Sequence, residues 1–294
     1  MGSAKEPVTL KALLANPQLG QTLFEDNVYM QATMFQPVGG MDRIPAGFER
    51  ALKSPLIKNA EVTEIRIPSP DTVRVAWRDR TTGKVSHAEA DYLVCTLPLP
   101  VLAKIPSDFD KPVKAAIEGC AYDHSNKVGF ESDRFWEKRQ IYGGISWVGG
   151  DTSLIWYPSH GMHGDRGTLL GCYSSGPRAA AFAKRPLPEQ MAIAKAAIGR
   201  VHPEAVDRLG HGVVVNWSKI PFNLGPWPRW NRDERGGGEA AITAPGYTLL
   251  NQPHGRVFFC GAHLSQMPGW QEGACYSAHR TVAAIAERSK VMAA

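Results

Sequence analysis

RVFFCGAHLSQMPGWQEGA, residues 256–274, leads from a short apolar run through a glycine-rich turn into a helical pattern. The run Arg256–Gly261 centres on four apolar residues, which is typical of a short strand buried on both faces. Beyond the turn, alanines and β-branched residues recur at helical spacing over Ala274–Glu287, so the sequence predicts a final helix that starts near Gln271. Strand, turn and helix in this order favour a mixed α/β fold.

Upstream, three strand-like runs follow one another. Val62–Ile67 and Thr72–Trp77 alternate apolar and polar residues, and Ala88–Thr96 ends in an apolar stretch. The charged segment Asp79–Lys84 contains a glycine and predicts a hairpin connection. Two prolines in Leu97–Pro100 end the third strand, because proline cannot donate to a β-ladder.

The middle of the chain mixes predicted helices and strands. Apolar spacing predicts helices over Lys111–Ile117 and Pro188–Val201. Short apolar runs predict strands at Lys127–Phe130, Leu154–Tyr157, Leu169–Tyr173 and Val213–Trp217. Residues 218–241 are rich in proline, glycine and tryptophan, and they predict a long ordered loop.

The first part of the chain predicts a helical arm and a glycine turn. Residues 1–34 form the arm, with one break at Asn16-Pro17. Two glycines within Phe35–Pro45 allow a tight turn and a close approach of the backbone to a ligand. Asp42 is the predicted N-cap of a helix over Ala46–Leu52, because its carboxylate can accept from free backbone N–H groups.

Composition and charge narrow the function classes. The chain has 294 residues, 43% hydrophobic and 21% charged, which is ordinary for a globular protein. No apolar run approaches the roughly 20 residues that span a membrane, and the start has no signal-peptide core. The net charge of +5 is spread along the chain, so nucleic acid is not an expected partner. Five widely spaced cysteines without a CxxC pair predict reduced thiols in a cytoplasmic protein.

Four segments, in this order, resemble the flavin amine oxidases and most narrowly the L-amino-acid oxidases. They are Phe35–Ile44, Asn59–Ile65, Asn126–Ser146 and Phe258–Ala274. The resemblance covers nearly the whole chain and implies FAD as the cofactor. It also implies a partial FAD-binding domain formed by residues 35–105 and 243–294, and a mixed-sheet substrate-binding domain formed by residues 106–242.

The resemblance implies a set of cofactor-binding residues. The glycine turn at Gly39 and Gly40 would lie beside the flavin ring, and the backbone of Val62 would hold the adenine end. The amino terminus of the last helix would stabilise negative charge on the flavin through its partial positive charge. The full set is Gly39, Gly40, Met41, Val62, Trp217, Gly261, Ala262, Gln271, Glu272 and Gly273.

Four further residues are implied at the substrate. Lys127 would bond a water near the reactive flavin nitrogen. A tyrosine on the strand Leu154–Tyr157 would hold the substrate carboxylate, and we choose Tyr157 over Trp156 because a hydroxyl is the donor required. The Gly269 carbonyl would accept from the substrate amine, and Trp270 would form an apolar wall.

The implied reaction is oxidation of an L-amino acid by oxygen to a 2-oxo acid, ammonia and hydrogen peroxide. A large apolar or aromatic side chain is favoured by the aromatic-rich loop at residues 218–241. Two departures from the family pattern stand out. The family's first βαβ unit and an arginine that clamps the substrate would lie upstream of this sequence. Ala262 replaces an acidic residue, and losing one charged hydrogen bond costs about 1.5–3 kcal/mol of cofactor affinity.

These departures leave alternatives open. The nucleotide-binding segment is expected from elsewhere, and a partner polypeptide or a second copy is expected to cover the exposed sheet. The chain is alternatively a truncated or degenerate homologue that binds a partner without catalysis. A third interpretation is an amine or polyamine oxidase, which would have no anchor for a carboxylate.

Overall fold

The structure is a computed structural model that describes residues 9–15, 35–230 and 243–293. It divides into two compact units, Met1–Lys58 and Asn59–Ala294. In the first unit, α1 (Leu10–Leu14) and α2 (Arg43–Ala51) are the described helices. The break predicted at Asn16-Pro17 and most of the predicted arm lie outside the described residues.

The glycine turn before α2 is confirmed, but the predicted cap is wrong. Gly39 and Gly40 have φ values of +92° and +117°, which favour glycine, and the Gly40 N–H donates to the Pro37 carbonyl at 3.2 Å. Asp42 makes no capping hydrogen bond with its side chain. Its backbone is already helical, whereas a capping residue adopts an extended conformation. The helix therefore begins at Arg43, three residues before the predicted start.

The second unit contains the sheets. Its described strands and helices, in chain order, are β1 (Ala60–Ser69), β2 (Thr72–Asp79), β3 (Val85–Ala90), β4 (Leu93–Cys95), α3 (Leu99–Leu102), α4 (Lys111–Gly119), β5 (Ala121–Tyr122), β6 (Ser125–Asp133), β7 (Ile145–Gly149), β8 (Ser153–Trp156), β9 (Arg166–Ser175), α5 (Gly176–Phe182), α6 (Leu187–Val201), β10 (Gly210–Asn216), β11 (Pro228–Arg229), α7 (Pro245–Leu250), β12 (Val257–Phe259) and α8 (Gln271–Ala293). Short 3₁₀ turns occur at Phe135–Arg139, Pro203–Arg208, Trp217–Lys219 and Ala262–Leu264.

The strand predicted over Ala88–Thr96 is two strands in two different sheets. β1, β2 and β3 form an antiparallel sheet in that order, and the predicted hairpin at Asp79–Lys84 is confirmed. After β3 ends at Ala90, the chain enters a second sheet, where β4 pairs in parallel with β12. The Leu93 N–H donates to the Arg256 carbonyl at 3.0 Å at the point of entry. The apolar pattern runs across this junction, so it does not mark the change of partner.

The largest sheet has five strands in the order β10-β6-β9-β8-β7, with antiparallel pairing throughout. Helix α6 covers one face. A Cβ added at Gly171 of β9 would lie 2.8 Å from the Ile198 side chain and 3.1 Å from the Ala194 carbonyl. The absence of a side chain at Gly171 therefore allows the close approach between the sheet and α6.

Two clusters of buried side chains form the core. One is drawn from β1, β2, β4, α3, α4, α7 and β12, and it extends as far as Cys120 and Tyr122 along the middle of the chain. The other begins at Val128 and is drawn from β6, β8, β9 and α5 to α6. The boundary between the cores thus falls after residue 122, whereas the predicted domain boundary at residue 105 stays a prediction.

Several elements agree with the periodicity in type and run longer than predicted, whereas β12 is shorter than the predicted strand Arg256–Gly261. The predicted strand Lys127–Phe130 is the centre of β6, and the predicted helix Ala274–Glu287 lies within α8. All five cysteines are free thiols. Among the described helices, none is long and apolar enough to span a lipid bilayer.

Candidate active site

Lys127 lies on the face of the five-stranded sheet opposite α6. Its Cα partners across the sheet are Tyr173 on β9 and Val215 on β10, and side chains paired in this way share a face. The Lys127 ammonium lies 4.8 Å from the centre of the Tyr173 ring, which is a cation–π contact. Desolvation lowers the pKa of Lys127. Within the described ranges, no carboxylate pairs with this ammonium.

Trp156 belongs to the same face. It pairs with Leu170, which in turn pairs with Gly129, and Gly129 is two residues along β6 from Lys127. The Trp156 and Tyr173 rings have centroids 6.0 Å apart and planes inclined by 33°. Lys127, Tyr173 and Trp156 therefore form a row across three adjacent strands, which we call the open-face row.

The polar groups of the open-face row lack acceptors. In the part of the chain that the structure describes, neither the Tyr173 hydroxyl nor the Trp156 indole N–H makes a hydrogen bond. Desolvation raises the pKa of Tyr173, so its hydroxyl stays protonated and can donate. The row thus presents an ammonium, a hydroxyl and an indole N–H, all of which can donate to a ligand.

Tyr157, the residue predicted to hold the substrate carboxylate, lies on the opposite face of the sheet from Lys127. The residue is 2% exposed and belongs to the core under α6. Its hydroxyl lies 2.6 Å from His202 Nε2 and 3.0 Å from Ser146 Oγ. Successive residues of a strand point to opposite faces, so placing Trp156 beside Lys127 places Tyr157 in the core.

Sequence reasoning missed Tyr173. The residue ends the predicted strand Leu169–Tyr173, so its position on a strand was available. Its pairing with Lys127 depends on the register between β6 and β9, which are more than thirty residues apart in the chain. No local signal gives that register. The signal that could have found it is the presence of a second tyrosine, Tyr173, on a predicted strand.

Trp217 directly follows the last residue of β10, the strand that pairs with β6. The strand was predicted to include Trp217, but it ends at Asn216, and Trp217 begins a 3₁₀ turn. Val215, two residues earlier, pairs with Lys127. Trp217 is therefore close in the chain to a residue of the Lys127 face, and its role at the flavin stays a prediction.

A second group of predicted residues meets at the start of α8. The Gly261 N–H donates to the Ser277 hydroxyl on α8 at 3.1 Å, and Gly261 has a φ of +142°. A Cβ added at Gly273 would overlap the Met267 carbonyl oxygen and the Ser265 hydroxyl. Glycine is thus required at both positions to hold the turn 261–270 against the helix.

The outer side of this turn is open. No heavy atom lies within 4 Å of a Cβ added at Gly269, and Trp270 is 39% exposed. Gln271 and Glu272 are exposed in the first turn of α8, whose free N–H groups carry partial positive charge. The turn and helix thus leave space beside Gly269 for a ligand. That Lys127 lies across from this turn stays a prediction.

Val62 lines a separate cleft of about 680 Å³. Apolar side chains and a basic rim line this cleft: Val62, Leu97, Val101, Ile105, Arg78, Arg80 and Lys104. The backbone role predicted for Val62 stays a prediction. The predicted turn at Gly39, Gly40 and Met41 belongs to the other compact unit and is described only by itself.

Ala262 leaves the predicted acidic position without charge. Its carbonyl accepts from the Ser265 hydroxyl at 2.8 Å, which fixes the 3₁₀ turn. The adjacent His263 is buried, and burial lowers its pKa to about 4, so it is neutral at ordinary pH. Despite this missing charge, the open surface beside Gly269 at the start of α8 and, separately, the Lys127 ammonium without a carboxylate partner among the described residues are each compatible with a flavin.

Comparisons with known proteins agree with this fit. Residues 5–286 match the family described as flavin containing amine oxidoreductase. An L-amino-acid oxidase of Siganus canaliculatus is 28% identical, over 97% of this chain and 55% of its own length. The flavin-dependent L-tryptophan oxidase RebO of Lentzea aerocolonigenes is 26% identical, over 97% of this chain and 62% of its own length.

Solved structures share the fold. A putrescine oxidase triple mutant matches with a TM-score of 0.69 and 19% identity, over 85% of this chain and 53% of its own. Cyclohexylamine oxidase from Brevibacterium oxydans matches with a TM-score of 0.67 and 16% identity, over 86% and 53%. The chain thus spans only 55% and 62% of the lengths of the two oxidases reported above. Because the family model matches residues 5–286, nearly the whole chain, the chain belongs to the flavin-containing amine oxidoreductases.

Proposed function

We propose that this chain supplies the substrate-facing part of an FAD-dependent oxidase that converts an L-amino acid and oxygen to a 2-oxo acid, ammonia and hydrogen peroxide. The observation that carries the proposal is the open-face row, which offers donors without an acceptor among the described residues. An ionised carboxylate accepts hydrogen bonds and never donates. The row therefore suits a substrate that carries a carboxylate better than a plain amine.

Each residue has a distinct role in this proposal. The Tyr173 hydroxyl donates to the substrate carboxylate, which replaces the role first assigned to Tyr157. The Gly269 carbonyl accepts from the substrate amine, and Trp270 excludes water from the side chain. Lys127 holds a water at its ammonium, because a half-buried ammonium needs a hydrogen-bonded partner.

FAD, when bound, supplies the redox chemistry by accepting a hydride from the substrate. Within the unit Asn59–Ala294, the residues proposed to hold it are Val62, Trp217, Gly261, Ala262, Gln271, Glu272 and Gly273. The α8 amino terminus favours negative charge near its first turn. The rest of the family's nucleotide site is supplied by further sequence of the same protein, by a partner polypeptide or by a second copy.

The relatives support an amino-acid substrate. Both curated relatives reported above are oxidases of L-amino acids, and one is named for L-tryptophan. The five free thiols support a reducing, cytoplasmic location as part of the same proposal.

The test is a peroxide assay with the full chain, FAD and, where needed, the remaining family segment. Paired substrates differ only in the carboxylate: L-phenylalanine against phenethylamine, and L-tryptophan against tryptamine. We expect peroxide from the amino acids and far less from the amines. Peroxide from the amines alone would select an amine oxidase instead.

A second candidate function rests on Ala262. Without the family's acidic side chain at this position, cofactor affinity falls, which favours a non-catalytic homologue that binds a partner polypeptide. The visible absorbance spectrum separates the two. A colourless chain that stays colourless with added FAD and the remaining family segment would support the partner-binding candidate.

A further inference from the structure

We propose that Trp156 selects the substrate side chain and that it favours a flat aromatic ring. This inference rests on the proposed function, because it takes the substrate carboxylate to be held at Tyr173. Trp156 lies one strand beyond Tyr173 in the open-face row, so a side chain that extends from a carboxylate at Tyr173 along the row reaches the indole.

The surroundings of Trp156 on this face are apolar. Its Cα partners are Ile145 on β7 and Leu170 on β9, and both residues share its face. A cationic substrate side chain placed there would lose hydration without gaining an acceptor, because the described groups of the row are donors. An apolar side chain loses no hydrogen bonds to water, so this part of the row discriminates by polarity.

The orientation of the rings adds discrimination by shape. The Trp156 and Tyr173 planes are inclined by only 33°, with centroids 6.0 Å apart. Two neighbouring aromatic rings thus stand side by side, and a substrate ring can pack against them offset or edge-on. An aliphatic chain gains only its buried area there and none of the ring–ring attraction.

The two residues that flank Trp156 in the chain pack in the core, and their burial can be compared with that of Trp156. Ile155 and Tyr157 point to the other face and are almost completely buried in the core. Trp156 is only half-buried, and its indole N–H has no acceptor within the described ranges. Its surface is thus available to a ligand, unlike that of Ile155 or Tyr157.

Calorimetric titration of the full chain, incubated with FAD, tests the inference without requiring turnover. The probes are phenylacetate and 4-methylpentanoate, carboxylates that have no amine to oxidise. In Trp156→Leu we expect roughly tenfold weaker binding of phenylacetate and less than about twofold change for 4-methylpentanoate. Trp156→Phe keeps a ring and should bind phenylacetate within about threefold of the original chain.

Tyr157→Phe is the matched control, because it changes the adjacent residue on the closed face and should alter neither affinity. Equal phenylacetate binding by Trp156→Leu and the original chain would overturn the inference, and so would no binding of phenylacetate by the original chain. Peroxide from aliphatic amino acids as fast as from aromatic ones overturns the inference and leaves the proposed function standing. Phenylacetate binding that depends on Trp156, with no oxidation of any amino acid, would support the inference and contradict the proposed function.

Discussion

The two faces of the five-stranded sheet place a tyrosine hydroxyl in opposite environments. Under α6, the Tyr157 hydroxyl is bonded to both His202 and Ser146 and is closed off from water. On the other face, the Tyr173 ring lies beside an ammonium and a second aromatic ring, and the Tyr173 hydroxyl makes no hydrogen bond among the described residues. The donors of the open-face row keep access to solvent and have no protein acceptor among the described residues, so they are free to donate to a ligand.

The largest expected effect on stability lies on the closed face. Ile198→Ala removes a fully buried side chain that packs on β9, and it should lower the free energy of unfolding by about 2–5 kcal/mol. Urea unfolding measures this change. Phenylacetate affinity of the folded fraction should be unchanged, and a specific loss of affinity would show that the two faces are not independent.

The largest expected effect on function lies on the open face. Lys127→Met replaces the ammonium with an apolar chain of similar length and should lower turnover about 100-fold, in the range of a lost proton-handling group. The free energy of unfolding should not fall, because the half-buried ammonium has no paired charge among the described residues to lose. Unchanged turnover would remove Lys127 from the site.

The turn before α8 gives a matched pair of glycines. Gly273→Ala forces a Cβ against the Met267 carbonyl and the Ser265 hydroxyl, and it should cost about 1–3 kcal/mol of stability. Gly269→Ala meets open space and should leave the melting temperature nearly unchanged. Equal melting temperatures for the two variants would contradict the close approach of the turn to α8.

The smallest expected effect is a pH dependence on the closed face. Burial lowers the pKa of His202, with a smaller contribution from Arg139 that the carboxylate of Glu204 opposes. His202 therefore binds a proton less readily in the folded protein than in the unfolded chain. The stabilisation is complete above the unfolded pKa of about 6.5 and is lost as the pH falls below it. In His202→Gln, urea unfolding between pH 7 and pH 5 should show a shallower loss of stability, and an unchanged slope would exclude His202 as the cause.

Much of the fold could be predicted from local pattern, and the exceptions have physical causes. Turn residues encode the hairpin at Asp79–Lys84, and helical periodicity encodes the final helix. In both cases the signal lies within the element itself. The split of Ala88–Thr96 depends on which distant strand each half pairs with. The same limit applies to the site: residue chemistry favoured a tyrosine, but only the register between β6 and β9 selects Tyr173 over Tyr157.

The difference between the two tyrosines offers the most direct test of a carboxylate site on the open face. The measurement is kcat/KM for L-phenylalanine in Tyr173→Phe and Tyr157→Phe, two variants that each remove one hydroxyl. Loss of a hydrogen bond to a charged carboxylate predicts a decrease of about 10- to 100-fold for Tyr173→Phe. Tyr157→Phe should change kcat/KM by less than about threefold while it lowers stability through the unpaired His202. A decrease in Tyr157→Phe with no change in Tyr173→Phe would contradict the assignment.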